Sequence, residues 1–234
     1  MATDAAANRN NRNNLGNRIT LPATIKAPVE HELVIRKSRF IAQLAPVESM
    51  AEADGIIAAT RKRHWNANHN CVAIILGVHS DQQRSSDDGE PSGTAGVPIL
   101  EVLRNHQLTD IVAVVTRYFG GVLLGAGGLI RAYSSATAAA LVAAQSANLI
   151  VPRRMLTEVT FTARFSDAGR VENFIRNWVS SRDAVIEPTK YGQDAEFTVL
   201  APPDQLANLQ AELAAVSAGA IRLHIGADRV VDLG

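Results

Sequence analysis

Between the apolar run at Ile111 to Val115 and an alanine-rich stretch ending near Ser146, residues 117 to 134 hold five glycines: Gly120, Gly121, Gly125, Gly127 and Gly128. Glycine meets no steric penalty at positive φ and lets another backbone or a ligand come close. Such a density at a strand-to-helix junction therefore specifies a built loop. A helix beginning near Gly127 leaves unpaired N–H groups and a partial positive charge at its start, which suits an anion such as phosphate. Arg117 and Arg131 stand on either side of that start. The competing reading is that the glycines serve only a tight turn and close packing of helix on sheet.

A second dense block lies upstream, from Asp87 to Leu100, and contains Asp88, Gly89, Glu90, Pro91, Ser92, Gly93 and Thr94. The two blocks together resemble the YigZ/IMPACT family, whose members carry DGEPSGTAG-x-PIL followed by RYFGG-x-x-LGAGGL-x-RAYS. Both run here without a gap, and Ser38-Arg39-Phe40 and His69-Asn70-Cys71 are similar to the family's N-terminal elements. Val97 and Leu123 stand where members commonly carry a basic residue. The resemblance implies a first domain like domain IV of elongation factor G, a fold shared with kinases of the galactokinase type, and a second domain like domain V of that factor. It also implies a link to translation, because eukaryotic relatives regulate translation by competing for the activator of a starvation-sensing kinase. Those relatives use an RWD domain that this sequence lacks, so that particular partner is not carried over.

At 234 residues the chain is long enough for two modest domains. Its formal charge is zero, yet residues 1 to 27 hold Arg9, Arg12, Arg18 and Lys26 against Asp4 alone. Neither of the two bodies that follow is globally basic, so any nucleic-acid contact must come from a local patch. The single cysteine, Cys71, excludes an intramolecular disulfide and a multi-cysteine zinc site. No apolar run reaches membrane-spanning length, and a cytoplasmic protein without membrane contact is expected.

The pattern along the chain predicts an α/β (α+β) protein in three parts. Residues 1 to 29 form a polar, disordered tail, with order starting near Glu32. Residues 30 to 148 read β-β-α-β-α-β-α: short strands at 33–35 and 40–42 around a basic turn, a helix at 47–62, a strand at 71–76, a polar and mobile loop at 77–89, a helix at 95–105, a strand at 111–116 and a helix at 127–146. Residues 153 to 230 read β-α-β-β-α-β, the ferredoxin-like arrangement: strands at 156–161, 184–191, 195–200 and 221–225, and helices at 167–179 and 203–216.

The chemistry-bearing candidates are few. Asp87, Asp88 and Glu90 with His69 lack metal-ligand spacing, and capping of the loop by Asp88 and Ser92 is the simpler account. His69 and Cys71 share a strand face but lack an orienting third group. No Gly-Lys-Ser/Thr sequence marks a nucleotide-binding P-loop. Catalytic residues, a metal and a cofactor are accordingly not assigned. Binding is the better class. Arg36, Lys37 and Arg39, then Arg61, Lys62 and Arg63, then Arg117 and Arg131 around the glycine loop supply charge, and Tyr118, Phe119 and Tyr133 supply rings for base stacking. The expected partner is RNA or a ribosomal component, with a protein partner in translation control. The alternative is an enzyme acting on a small phosphorylated molecule at the glycine loop.

Overall fold

The computed structural model describes residues 21 to 233, which form two compact units, residues 21–153 and 154–233. The chain is an α+β protein in which each unit combines an antiparallel sheet with helices.

The N-terminal unit runs β1 (Thr24–Ile25), β2 (Val29–Ile35), β3 (Ser38–Pro46), α1 (Met50–Arg63), β4 (His69–Leu76), β5 (Gln82–Ser86), α2 (Gly96–Asn105), β6 (Ile111–Tyr118), α3 (Ala126–Ser146) and β7 (Ile150–Val151). Its five-stranded sheet has the order β2-β3-β6-β4-β5, antiparallel throughout. The continuous apolar run of β6 reflects its place at the centre, buried on both faces. Val112 and Val114 meet Val72, Ile74 and the α1 residues Ala53 and Ile57 on one face. Ala113 and Val115 join Phe40, Cys71, Ile99, Leu103, Tyr133, Ala136 and Ala140 on the other, under α2 and α3. The alanines let α3 lie close to the sheet.

The expected order of elements holds with three additions. Ordered structure begins before Glu32: β2 starts at Val29, and β1 pairs with β7, burying Ile25. The polar segment expected as a loop over 77–89 contains β5, an edge strand on β4 whose five residues are all exposed. An edge strand with a solvated side needs no apolar alternation, which is why its composition concealed it. Helix α1 starts at Met50, where Ser49 accepts a hydrogen bond from the Glu52 N–H at 3.2 Å, rather than at Val47. The polar segment before residue 21 lies outside the described residues.

The C-terminal unit follows β-α-β-β-α-β: β8 (Arg153–Arg164), α4 (Ala168–Ser180), β9 (Val185–Ile186), β10 (Lys190–Tyr191), β11 (Asp194–Ala201), α5 (Leu206–Val216) and β12 (His224–Asp232), in the sheet order β10-β11-β8-β12 with β9 also on β11. Alternating residues of β8 and β11 (Val159, Phe161, Ala163; Ala195, Phe197, Val199) make one core with Val171, Ile175, Trp178, Leu209 and Leu213. The strand expected over 184–191 is divided into β9 and β10 around Pro188, which has no N–H to give to a ladder. The last strand begins at His224 rather than Ile221, because the Ile221 N–H turns back to the Ser217 hydroxyl at 3.2 Å and its side chain enters the core.

Candidate functional site

The two glycine-bearing blocks meet at one end of the N-terminal sheet. There β6 finishes at Tyr118, β4 begins at His69 opposite Arg117, and the β2–β3 turn abuts the glycine loop. The join is a buried polar cluster. Arg117 Nη1 donates to Glu90 Oε1 at 2.6 Å, and the Tyr133 hydroxyl donates to the same oxygen at 2.7 Å. The side chains of Glu90 and Arg117 are 3% and 7% exposed. Cys71 Sγ donates to the Asp87 carbonyl at 3.0 Å and lies 3.3 Å from the Tyr133 hydroxyl. Burial pushes the Cys71 thiol up to about 12 and drives the Tyr133 hydroxyl well above the usual phenol range. Neither is a nucleophile at neutral pH. His69 Nδ1 is 2.8 Å from the Asp88 carbonyl, which fixes that nitrogen as the protonated one and turns Nε2 toward Glu90 Oε2, 3.9 Å away.

The loop cap belongs to Asp87 and not to Asp88 and Ser92. Its carboxylate accepts from the N–H groups of Gly93 (2.8 Å), Ala95 (3.0 Å) and Gly96 (2.8 Å), at the start of α2. Burial favours the neutral acid, but these three donors outweigh it and hold the carboxyl below its ordinary range. Asp88 instead accepts from the Asn70 N–H at 2.7 Å and from Arg61 at 2.8 Å. Thr94 Oγ1 closes the turn on the Pro91 carbonyl at 2.6 Å, Gly89 has φ +87° beside His69, and Ser92 is exposed.

Arg117 is therefore not an exposed flank of the glycine loop. It is an internal residue with its guanidinium 4.7 Å from the centre of the Phe119 ring and 5.4 Å from that of Phe40. Position 117 faces the α2/α3 side of a central strand, as Val115 does, so the alternation of β6 already directs it inward. Arg131 is exposed, in the first turns of α3, and its Nη1 would lie 3.6 Å from a Cβ at Gly127. The glycines differ in role. A Cβ on Gly120 would fall 2.0 Å from the Lys37 carbonyl carbon, so only glycine lets the β2–β3 turn close on this loop. Gly121 and Gly125 have φ +76° and +68°. Gly128 lies against Leu124, and Gly127 meets only the Arg131 side chain. Gly125 caps α3 without a side-chain bond, and the first turn of that helix carries no acidic residue.

The other cations divide into paired and unpaired. Arg39 forms a two-pronged bond to Glu32 at 2.7 and 2.9 Å, Arg61 binds Asp88, and Arg63 binds Glu30. Arg36, Lys37, Lys62 and Arg131 are exposed and have no ion-pair partner among the described residues. Of the three candidate stacking rings, Tyr133 is fully buried and unavailable. Tyr118 is half-buried, with its hydroxyl 2.9 Å from His64 Nδ1 and the Arg39 guanidinium 5.3 Å from its ring centre. Phe119 is 57% exposed. Among the described residues no group of His, Cys, Asp or Glu is arranged to hold a metal ion, and no helix is long and apolar enough to cross a membrane. What sequence reasoning missed is the pairing of Glu90 with Arg117 and Tyr133. Strand parity at 117 and helical spacing at 133 were the available signals.

The chain is similar to known proteins in sequence and fold. The Impact N-terminal domain matches residues 36–141, and a domain of unknown function, DUF1949, matches residues 161–220. The IMPACT family member YvyE of Bacillus subtilis is 44% identical over 174 residues, covering 74% of this chain and 76% of that protein. The family member YigZ of Escherichia coli is 36% identical over 200 residues, 84% of this chain and 94% of that protein. A crystal structure of a hypothetical protein matches 88% of this chain and 97% of its own at 34% identity, with a TM-score of 0.54. The structure of a two-domain translational regulator, Yih1, matches 54% of this chain and 47% of its own at 25% identity, with a TM-score of 0.33. With both domains matched and these relatives covered over most of their length, the chain belongs to the IMPACT family.

Proposed function

We propose that this chain is a non-enzymatic, cytoplasmic binding protein that holds RNA or a ribosomal component at the glycine-loop end of its N-terminal sheet, in the control of translation. The observation that carries the reading is where unpaired positive charge is left. Arg36 and Lys37 in the β2–β3 turn, Lys62 at the end of α1 and Arg131 at the start of α3 come to one end of one sheet. The carboxylates there, Glu30, Glu32, Asp88 and Glu90, are each already held by an arginine. Arg36 and Lys37 also sit at φ +48° and +67°, where Asn-Gly is the favoured pair and other residues carry strain of about 1–2 kcal/mol each. Strain of that kind persists only where the surrounding structure holds it, and it clusters at functional sites.

The layout agrees with the partner class. The C-terminal β-α-β-β-α-β unit reads as ferredoxin-like, and the pair of units as the domain IV and V layout of elongation factor G that the family resemblance implies. Fold alone does not fix function, so the charge placement bears the weight. Titration with structured RNA should show saturable binding that weakens steeply with salt, and RNA binding that is absent at low salt overturns the reading. A second reading has one observation of its own: the start of α3 is uncapped by any side chain and offers the N–H groups of Gly127 and Gly128 to an anion. Binding of nucleotides or free phosphate in the same titration, without RNA binding, would favour an enzyme for a small phosphorylated molecule.

A further inference from the structure

We propose that Phe119 is the stacking platform for an unpaired base of single-stranded RNA. This rests on the RNA reading above and names the form of RNA and the residue that receives it. An exposed phenylalanine is ordinarily costly, and this one is held in place from three directions. The Arg117 guanidinium stands 4.7 Å from its ring centre and is itself locked by Glu90. The His69 ring lies 5.4 Å away, tilted by 51°. The Phe119 N–H donates to Asn68 Oδ1 at 2.7 Å, and Gly120 beside it is wedged against the Lys37–Ser38 backbone. A ring already fixed loses little freedom on binding, so a base laid on it keeps most of the stacking energy.

The surroundings select the ligand. Arg117 and the His69 ring cover part of the Phe119 ring, and the residue is still 57% exposed. Lys37 adjoins Gly120 through its backbone, and Arg131 lies on the helix that follows the loop; both are exposed and have no ion-pair partner among the described residues. The carboxylates of the neighbouring aspartate-glycine segment are engaged: Glu90 by Arg117, Asp88 by Arg61 and Asp87 by three backbone N–H groups. The loop end thus offers an exposed aromatic ring together with two exposed cations that have no ion-pair partner among the described residues. An unpaired base with its phosphates fits that description. A duplex presents no free base face, and an apolar peptide would gain nothing from the cations.

The test titrates the full chain with a labelled oligoadenylate, a duplex RNA and AMP, using the native protein, Phe119→Ala and Phe119→Trp. Phe119→Ala should weaken oligoadenylate binding about 5- to 150-fold, the range that one base–aromatic stack supplies, while leaving duplex binding nearly unchanged. Phe119→Trp should retain affinity, and its emission should be quenched as the strand binds. Circular dichroism should show both variants folded, since the ring is at the surface. Oligoadenylate binding that Phe119→Ala leaves intact overturns the platform while the broader RNA reading stands. AMP binding as tightly as the oligomer overturns it in favour of a mononucleotide site. Capture of an apolar peptide with no effect of RNA overturns it in favour of a protein partner. Absence of all RNA binding overturns both readings.

Discussion

Glu90 and Arg117 form an ion pair at 2.6 Å with both side chains out of solvent, and the pair ties the aspartate-glycine block to the last turn of β6. Removing either partner strands the other as a buried charge, a loss of about 3–5 kcal/mol. Glu90→Ala and Arg117→Gln should therefore each lower the urea midpoint strongly, and the double variant Glu90→Ala/Arg117→Ala should lose less than the sum of its parts. If Arg117→Gln unfolds at the native midpoint, the pair contributes nothing to stability and Arg117 regains standing as a ligand residue.

Asp87 gives a pH signature. Its folded-state value lies below that of an ordinary aspartate because three backbone N–H groups bind the ionised form. Its stabilising contribution is complete above the ordinary aspartate range and is lost as pH falls through the depressed value. Asp87→Ala should cost about 1–2 kcal/mol at neutral pH, as loss of a helix cap does, and should flatten the acid limb of the stability profile. An unchanged acid limb in that variant would assign acid unfolding to other carboxylates.

Cys71 should be inert while the protein is folded. With its thiol at about 12, only ~10⁻⁴ is thiolate at pH 8, and the side chain is fully buried. Labelling by a thiol reagent should be slow in buffer and fast in denaturant. Because the folded value is raised, the contribution of Cys71 to stability is whole below the ordinary thiol range and fades as pH climbs toward 12. Rapid labelling of the native protein would show that the edge strand β5 peels readily from β4.

How much of this was legible in the sequence depends on what each signal reports. The apolar runs of β4 and β6 and the alanine spacing of α3 encode burial directly, so those elements read clearly. The β5 strand did not, since a solvated edge has no apolar period. The cluster was harder still. Glu90, Arg117 and Tyr133 are far apart in sequence, and each resembles a surface residue until tertiary structure supplies its partners. Reading Arg117 as a phosphate ligand took its charge at face value, and the parity of its strand position contradicted that. Gly120 was legible as a loop residue, but its reason, the Lys37 backbone standing where a Cβ would have to go, belongs to a strand pair some eighty residues away.

The β2–β3 turn separates stability from function most cleanly. Arg36 and Lys37 occupy left-handed backbone positions in a two-residue hairpin turn, between Ile35 and Ser38, which pair directly. Asn-Gly is the pair such a turn favours. The double substitution Arg36→Asn/Lys37→Gly relieves the strain at both positions and leaves Gly120 its place, because the close contact there is with the Lys37 backbone and not its side chain. The variant should be more stable than the native protein by about 1–2 kcal/mol, because the entropy that a new glycine adds to the unfolded chain offsets part of the relieved strain. It should also bind RNA less tightly, with a log–log salt slope shallower by about 0.7 for each phosphate contact removed on a single strand. A gain in stability with RNA affinity and salt slope unchanged would mean that the two cations are decoration on the turn, and would move the RNA surface toward Lys62 and Arg131.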